Sequence, residues 1–369
     1  MRTIIPIAFF LCAVWINASA SIEADDPAAS SQPPTNSEAN DSRIRLAFAG
    51  DVMLGRLVNT VIQERGPAYI WGDTIPLLNG TDITLVNLEC VIAKDGKPFY
   101  PKRVFYFRAS PTAVKALTVA GIDYVTLANN HAMDFQGPAL LETIRYLDEY
   151  GIAHAGAGQN IDAATQPAII EVKGQKLGVI AYADHFREYR AGPNSPGTNI
   201  IRVNVEKENI RLIEEGIQSV KDLGADLIIL SIHWGPNMRQ IPSQEFIEFA
   251  HRAIDAGVDI FHGHSAHIFQ GIELYKGKLI LYDTGDLIDD YYVDPLLRND
   301  EQILFIVTIT SRRIERIELV PLKIHHMQVN RAIDDDFKAI QHRIIRLSRR
   351  FGTTIRHEGD RLVIDIPRH

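Results

Sequence analysis

The chain predicts an α/β fold with a large sheet system of mixed strand direction and polar residues gathered at strand ends. Three observations predict it. Short runs rich in Ile, Val, Leu and aromatics alternate with stretches of helical periodicity through the first two thirds of the sequence. Each of these early runs ends in a polar or glycine-containing loop. The later runs follow one another across short turns, which favours antiparallel pairing. Hydrophobic residues make up 46% of the 369 residues and charged residues 23%, a globular balance with room for one large domain or two ordinary ones. The formal net charge of −8 argues against nucleic acid as a partner, because such proteins carry a basic footprint.

The N-terminus stands apart from this pattern. Arg2 precedes an apolar run from Ile4 to Trp15, and Ala18-Ser19-Ala20 has the small-x-small form of a cleavage site. The run matches a signal-peptide core and is short for a bilayer span. Residues 1–20 therefore read as an export signal, and the mature protein is expected in the periplasm or cell envelope, or outside the cell. Cys12 raises the alternative of a lipoprotein anchor, although Phe9 stands where such signals usually carry Leu. After cleavage only Cys90 remains, so no internal disulfide is expected. Residues 21–42, rich in Ala, Ser, Pro, Asn and Asp, read as a flexible linker, with order expected from Arg43.

Strands are then predicted at Ile44–Ala49, Ile83–Val86, Tyr124–Leu127, Leu177–Ala181, Leu227–Ile232 and Val258–Phe261. Helices are predicted at Pro111–Ala120, Pro138–Tyr150, Glu206–Leu223 and Ser243–Ala256. Further strands follow at Phe269–Tyr275, Lys278–Asp283, Ile303–Ile309 and Ile314–Val320, with turns at Gly277 and Arg312-Arg313. Phe337, Ile340, Ile344, Leu347 and Phe351 recur at helical spacing, and two short strands flank a turn at Glu358-Gly359-Asp360. Arg343, Arg346, Arg349 and Arg350 make this last helix basic. That reads first as a solvated face and second as a contact for an anionic polymer or membrane. The organisation expected is one domain over 43–325 and a helix-and-hairpin extension over 326–369.

Five polar loops after predicted strands carry the chemistry. In Gly50-Asp51 with Gly55-Arg56, a buried strand holds the Asp51 carboxylate in place as a metal ligand, and Arg56 can clamp an anionic group bidentately. Asn87-Leu88-Glu89 offers a carboxylate to bridge cations or act as a base. Asn129-Asn130-His131 with Asp134 supplies an amide oxygen, an imidazole and a carboxylate that can coordinate a metal and deliver a proton. His233-Trp234-Gly235 adds an imidazole, and Gly263-His264-Ser265-Ala266-His267 places two more on a tight loop. Such oxygen and imidazole donors suit divalent zinc, manganese or iron. Asp184 and Asp286 are further candidates to line the site. Singly these motifs have bland readings: Gly-Asp is frequent in turns, and a strand-end His can be a satisfied core residue. Jointly they fit strand ends converging on one sheet edge.

Taken in order, the motifs resemble the CapA family of poly-γ-glutamate capsule-biosynthesis proteins. The resemblance runs from about Ile44 to Ile288 and includes Leu281-Tyr282-Asp283-Thr284-Gly285-Asp286. That family is similar in fold to calcineurin-like metallophosphoesterases. The resemblance therefore implies a four-layer αββα arrangement, two mixed sheets flanked by helices, and a mechanism with one or two divalent metals. Carried over, Asp51 and His267 favour one metal, Asn130, His233 and His264 the other, and Glu89 the bridging position. His131 becomes the proton donor, with Arg56 and Asp134 as its catalytic neighbours, and Arg56, Asp184 and Asp286 become substrate-binding candidates. The chain departs from the superfamily at Met53, where His is usual, at Glu89, where Asp is usual, and in having two residues between His264 and His267 where one is usual. Ser265 and Ala266 stand where many family members have His and Pro. Two functions remain open. One is an exported metal-dependent hydrolase or transferase acting on phosphate- or carboxylate-bearing envelope polymer. The other is a non-catalytic protein binding such a polymer or a membrane synthase complex.

N-terminal sequencing of protein recovered from the envelope fraction is expected to begin near Ser21. An intact Met1 in a cytosolic pool would overturn the export reading.

Overall fold

A computed structural model describes residues 43–366; the predicted signal and linker lie outside the described residues. The first strand, Ile44–Val52, shows how the core is built. Alternation sends Ile44, Leu46 and Phe48 to one face and Ala47 and Ala49 to the other. Both faces are buried beyond the half-buried Arg45, so apolar residues run unbroken from Leu46 to Ala49. It pairs parallel with Ile83–Leu88 and antiparallel with Glu301–Thr310.

The larger sheet grows outward from this centre. Its order is Arg356–Glu358, Arg361–Asp365, Arg313–His325, Glu301–Thr310, Ile44–Val52, Ile83–Leu88, Tyr124–Thr126 and Ala153–Ala155. Asp286–Ile288 joins it beside the first strand, and Gln328–Arg331 beside Arg313–His325. The early strands run parallel and the late ones antiparallel, the mixed pattern predicted. A second sheet runs Ile272–Tyr275, Lys278–Leu281, Ile260–His264, Leu227–His233, Gln175–Ala183, Ala168–Val172, with four parallel inner strands and antiparallel edges.

The sheets face each other across an apolar core. Leu46, Phe48, Phe305 and Leu319 meet Val179, Leu227, Ile229 and Leu281 there. On the outer face of the larger sheet, helices Val114–Val119 and Gln136–Glu149 bury Leu117, Leu140 and Leu147 against Val86 and Val125. On the outer face of the second, helices Lys207–Asp222 and Gln244–Ala256 bury Ile213, Ile217, Phe249 and Ala253 against Ile228, Leu230 and Ile232. The layers are therefore αββα. Among the described residues no helix is long and apolar enough to cross a membrane.

Two differences from the predicted elements have local causes. The strand expected from Phe269 begins at Ile272. Ser265 at φ 119° and His267 at φ 60° turn the preceding segment into a loop. The C-terminal helix, Asp334–Ser348, is continuous with the main core: Ile340, Ile344 and Leu347 enter the space between the sheets beside Leu362 and Ile364. Ile344→Ala should therefore destabilise the whole domain by about 2–5 kcal/mol, the usual loss for a buried large-to-small change. Denaturant unfolding checks this, and a loss under about 0.5 kcal/mol, typical of a surface site, would refute it.

Candidate metal centre

Two glycines let the strand ends close on one another. A Cβ on Gly50 would lie 1.7 Å from the Gly285 carbonyl oxygen, and one on Gly263 would lie 2.1 Å from that of Tyr282. The Gly-Asp and Gly-His motifs are thus backbone contacts first. Strand register then sets the ligands side by side. Asp51 is the direct partner of Asp286 on one side and Asn87 on the other. His233 is the direct partner of His264.

The result is two donor groups that share one carboxylate. Asp51 Oδ1 lies 3.8 Å from His233 Nδ1 and 3.6 Å from His264 Nδ1, and those two nitrogens are 3.0 Å apart. Asp51 Oδ2 lies 3.2 Å from His267 Nδ1, which is 2.9 Å from Asp286 Oδ1. Metal–ligand bonds of 2.0–2.2 Å put neighbouring donors about 3.3 Å apart in a tetrahedral site, so both groups have ligand spacing. Asp51 is therefore the carboxylate common to both groups, and Asp286 belongs to the second of them. Glu89 lies alongside, 3.5 Å from His233 Nε2 and 3.8 Å from His131 Nε2.

The supporting shell orients these groups. Asn87 Nδ2 donates to Asp51 Oδ1 at 2.8 Å, and Asn129 Nδ2 donates to Asn87 Oδ1 at 3.0 Å. Ser231 Oγ lies 3.1 Å from His264 Nε2, the imidazole nitrogen away from Asp51. Asp283 accepts from the Ala266 and Gly285 amides at 2.8 and 2.9 Å and so fastens the His264–His267 loop. Gln302 Nε2 donates to the His267 carbonyl at 3.0 Å, holding that residue in its left-handed backbone conformation. Sequence reasoning assigned no role to Ser231, Asp283 or Gln302. Ser231 had one signal, a hydroxyl inside an otherwise apolar strand.

Electrostatics supply the test of whether a cation fits. Burial pushes the Asp51 carboxyl up, but its bond to His267 and the nearby His233 and His264 outweigh that and hold it below the usual carboxylate range. Burial, then the Asp51 charge, push Glu89 well above its ordinary value. Burial also raises Asp286, despite the opposing pull of His267. Burial drives His264 down to about 4 and His233 well below the ordinary imidazole value, which leaves both neutral and able to ligate at neutral pH. His267 behaves oppositely: burial lowers it, but Asp286 and Glu89 together carry it well above the ordinary value. The carboxylates that raise His267 are the same charges that would draw a cation to this position. Glu89 Oε1 and Oε2, Asn130 Oδ1 and Asp286 Oδ2 are buried with no hydrogen-bond partner. Acceptors left unpaired in this way, around neutral imidazoles, fit a divalent cation.

The cluster opens into a cleft of about 690 Å³ lined in part by Arg56, Asn130, His131, Asp134, His267 and Tyr291. His131 Nδ1 is 2.7 Å from Asp134 Oδ2, which also accepts from the Phe107 amide at 2.7 Å. The Phe107 ring packs against the imidazole, with centroids 4.6 Å apart. Arg56 lies over Phe105 and Phe107, with Nε 3.2 Å from Asp290 Oδ2 and Nη1 buried without a partner. Asp184 is set back: it accepts from the Gly235 amide at 3.2 Å and pairs with His185, whose ring is 5.4 Å from that of His233. Met53 is buried in the core on the helical side of the larger sheet.

These layers and this donor cluster define an αββα protein with a candidate divalent-cation site between its two sheets. Residues 45–291 match the family described as bacterial capsule synthesis protein PGA_cap, and the chain belongs to that family. A probable polyglutamine synthesis accessory protein of Mycobacterium tuberculosis is 30% identical over 372 residues, covering 89% of this chain and 97% of the relative. Capsule biosynthesis protein CapA of Bacillus anthracis is 27% identical over 253 residues, covering 68% of this chain and 61% of the relative. Among solved structures, the sulfate thiohydrolase SoxB of Thermus thermophilus aligns with a TM-score of 0.45 and 10% identity, over 85% of this chain and 60% of that one.

Because Asp51 serves both groups and Asp286 one, their variants should differ. Asp51→Asn is expected to lower bound metal at both positions, while Asp286→Asn lowers it at one. Elemental analysis of the purified variants checks this. Equal metal content in Asp51→Asn and wild type would refute the shared-carboxylate arrangement.

Proposed function

We propose that this protein is an exported, metal-dependent hydrolase or transferase that acts on a phosphate- or carboxylate-bearing polymer in capsule or poly-γ-glutamate biosynthesis. The observation that carries the reading is the pair of donor groups sharing Asp51, with the His131–Asp134 pair facing the same cleft. The family, and the capsule and polyglutamate roles in the relatives' names, supply the setting. A membrane synthase complex in the envelope is the partner this reading implies.

Asp51, His233 and His264 form an imidazole-rich set suited to zinc or iron; Asp51, His267 and Asp286 form a carboxylate-rich set suited to manganese. A divalent cation held there supplies Lewis-acid polarisation of a phosphoryl or carbonyl oxygen. The protein's own groups do the rest. Asp134 holds His131 Nδ1, which leaves Nε2 directed away from that bond and free to give a proton to the leaving group. Arg56 lines the cleft, where its guanidinium can meet an anionic oxygen of the substrate while Asp290 and two aromatic rings hold it in place. Phe105, Phe186 and Tyr291 wall the cleft and limit water at the reacting centre.

His131→Ala should keep its metal and lower turnover of a generic phosphodiester by about two to four orders of magnitude. Asp134→Asn should give a smaller loss by releasing the same imidazole. If the wild-type protein binds no metal and His131→Ala still supports polymer production in cells, the catalytic reading fails.

A further inference from the structure

The arginines of the C-terminal helix do not all face the same environment. Arg343 is drawn inward, where it pairs with Glu301 and lies 4.8 Å over the Phe269 ring. Arg346 reaches Gln240 Oε1 at 3.3 Å. Arg349 and Arg350, in the turn that follows, are exposed, and so is Arg239. Among the described residues none of Arg239, Arg346, Arg349 and Arg350 has an acidic partner.

These four residues belong to one corner of the molecule. The Gln240–Arg346 bond ties the 234–243 loop to the helix. The Arg239 carbonyl accepts from Gln270 Nε2 at 2.7 Å. Next to Gln270, a Cβ on Gly271 would lie 2.7 Å from the Leu347 carbonyl oxygen and 2.9 Å from the Phe351 ring. A pocket of about 280 Å³ opens at this corner, lined in part by Trp234, Arg239, Ile241, Pro242, Phe246 and Gln270. The same loop follows His233 directly and reaches the metal-side cleft through Asn237 and Met238.

We propose that this corner is a second binding site that holds a stretch of an anionic polycarboxylate polymer while another stretch occupies the metal-side cleft. The inference rests on the proposed polymer substrate and adds where its distal part is held. On a chain of net charge −8, this corner carries four arginines that have no acidic partner among the described residues, a local excess of positive charge. A run of carboxylates offsets that excess. A membrane is the poorer match. Among the described residues, Ile241 is the one exposed large apolar side chain that lines this pocket; Tyr100, Val104, Tyr292 and Leu296 do not. A polymer that engages both sites gains affinity through its linkage, without a new contact at either.

The test uses the full chain and fluorescence anisotropy with a labelled long polyglutamate and, as the short probe, a labelled glutamate dipeptide. The triple variant Arg239→Glu, Arg349→Glu, Arg350→Glu is expected to bind the long polymer about ten- to a hundredfold more weakly. Its binding should also depend less on salt. Metal content, turnover of a small phosphodiester and binding of the dipeptide should stay at wild-type values. Lys at the same three positions should retain long-polymer binding. Gln at these positions gives a milder variant if charge reversal impairs folding. Wild-type affinity in the charge-reduced variants overturns the proposal. So does a loss seen with anionic phospholipid vesicles and not with the polymer, which makes the corner a membrane contact. An inactive, metal-free protein that still binds polymer through these arginines fails the proposed function and keeps this site. An active, metal-loaded protein whose polymer affinity the triple variant leaves unchanged does the reverse.

Discussion

A carboxylate with no exposed surface, set at the seam between two sheets, needs compensating charge, and Asp51 is that carboxylate. An isolated buried charge costs several kcal/mol even after relaxation. Here three imidazoles and an amide surround it within 4 Å. Its two oxygens face different partners, so one side chain joins two donor groups. Glu89 and Asp286 add further buried acid beside it. The cluster is therefore costly as a structural element and reasonable as a cation site.

The two sheets contribute different chemistry. The larger sheet and the loops after its strands bring Asp51, Asn87, Glu89, Asn130, His131 and Asp286. The second sheet brings His233 and His264 in direct register, and His267 on the loop beyond. Neither sheet holds a complete donor group. The site exists only where Phe48 and Phe305 on one side and Val179 and Ile229 on the other have packed the sheets together. The apolar core thus sets ligand spacing as well as stability, and a core change that shifts one sheet against the other reaches the site without touching a ligand.

Much of this was legible in the sequence because the demands on it are local. A strand end that approaches another backbone to within contact needs Gly, and a ligand must follow it, so Gly50-Asp51 and Gly263-His264 appear as dipeptides. The alternation of apolar runs and helical stretches gave the layers for a similar reason. Roles that depend on pairing were hidden. Asp286 meets His267 because a three-residue strand, Asp286–Ile288, runs parallel to the first strand, and three residues show no periodicity. Ser231 supports His264 across a register that only the folded sheet defines. The C-terminal arginines looked alike in sequence. The rotation of their helix, set by Ile340, Ile344 and Leu347, sends Arg343 inward and leaves Arg346 exposed.

The same economy of pairing governs the surfaces a substrate meets. Elsewhere among the described residues most arginines are spent: Arg103 on Glu188, Arg298 on Asp300 and Glu301, and Arg356 on Glu358 and Asp365. At the cleft, Arg56 satisfies Asp290 with Nε yet keeps Nη1 unpaired. A polyanion is repelled by the acidic molecule as a whole and is attracted where cation capacity is left over. Unpaired guanidinium groups are therefore more informative about function here than the number of basic residues. In the proposed function, Arg56 lines the same cleft as the proton-donating imidazole, where it can orient the anionic group that reacts.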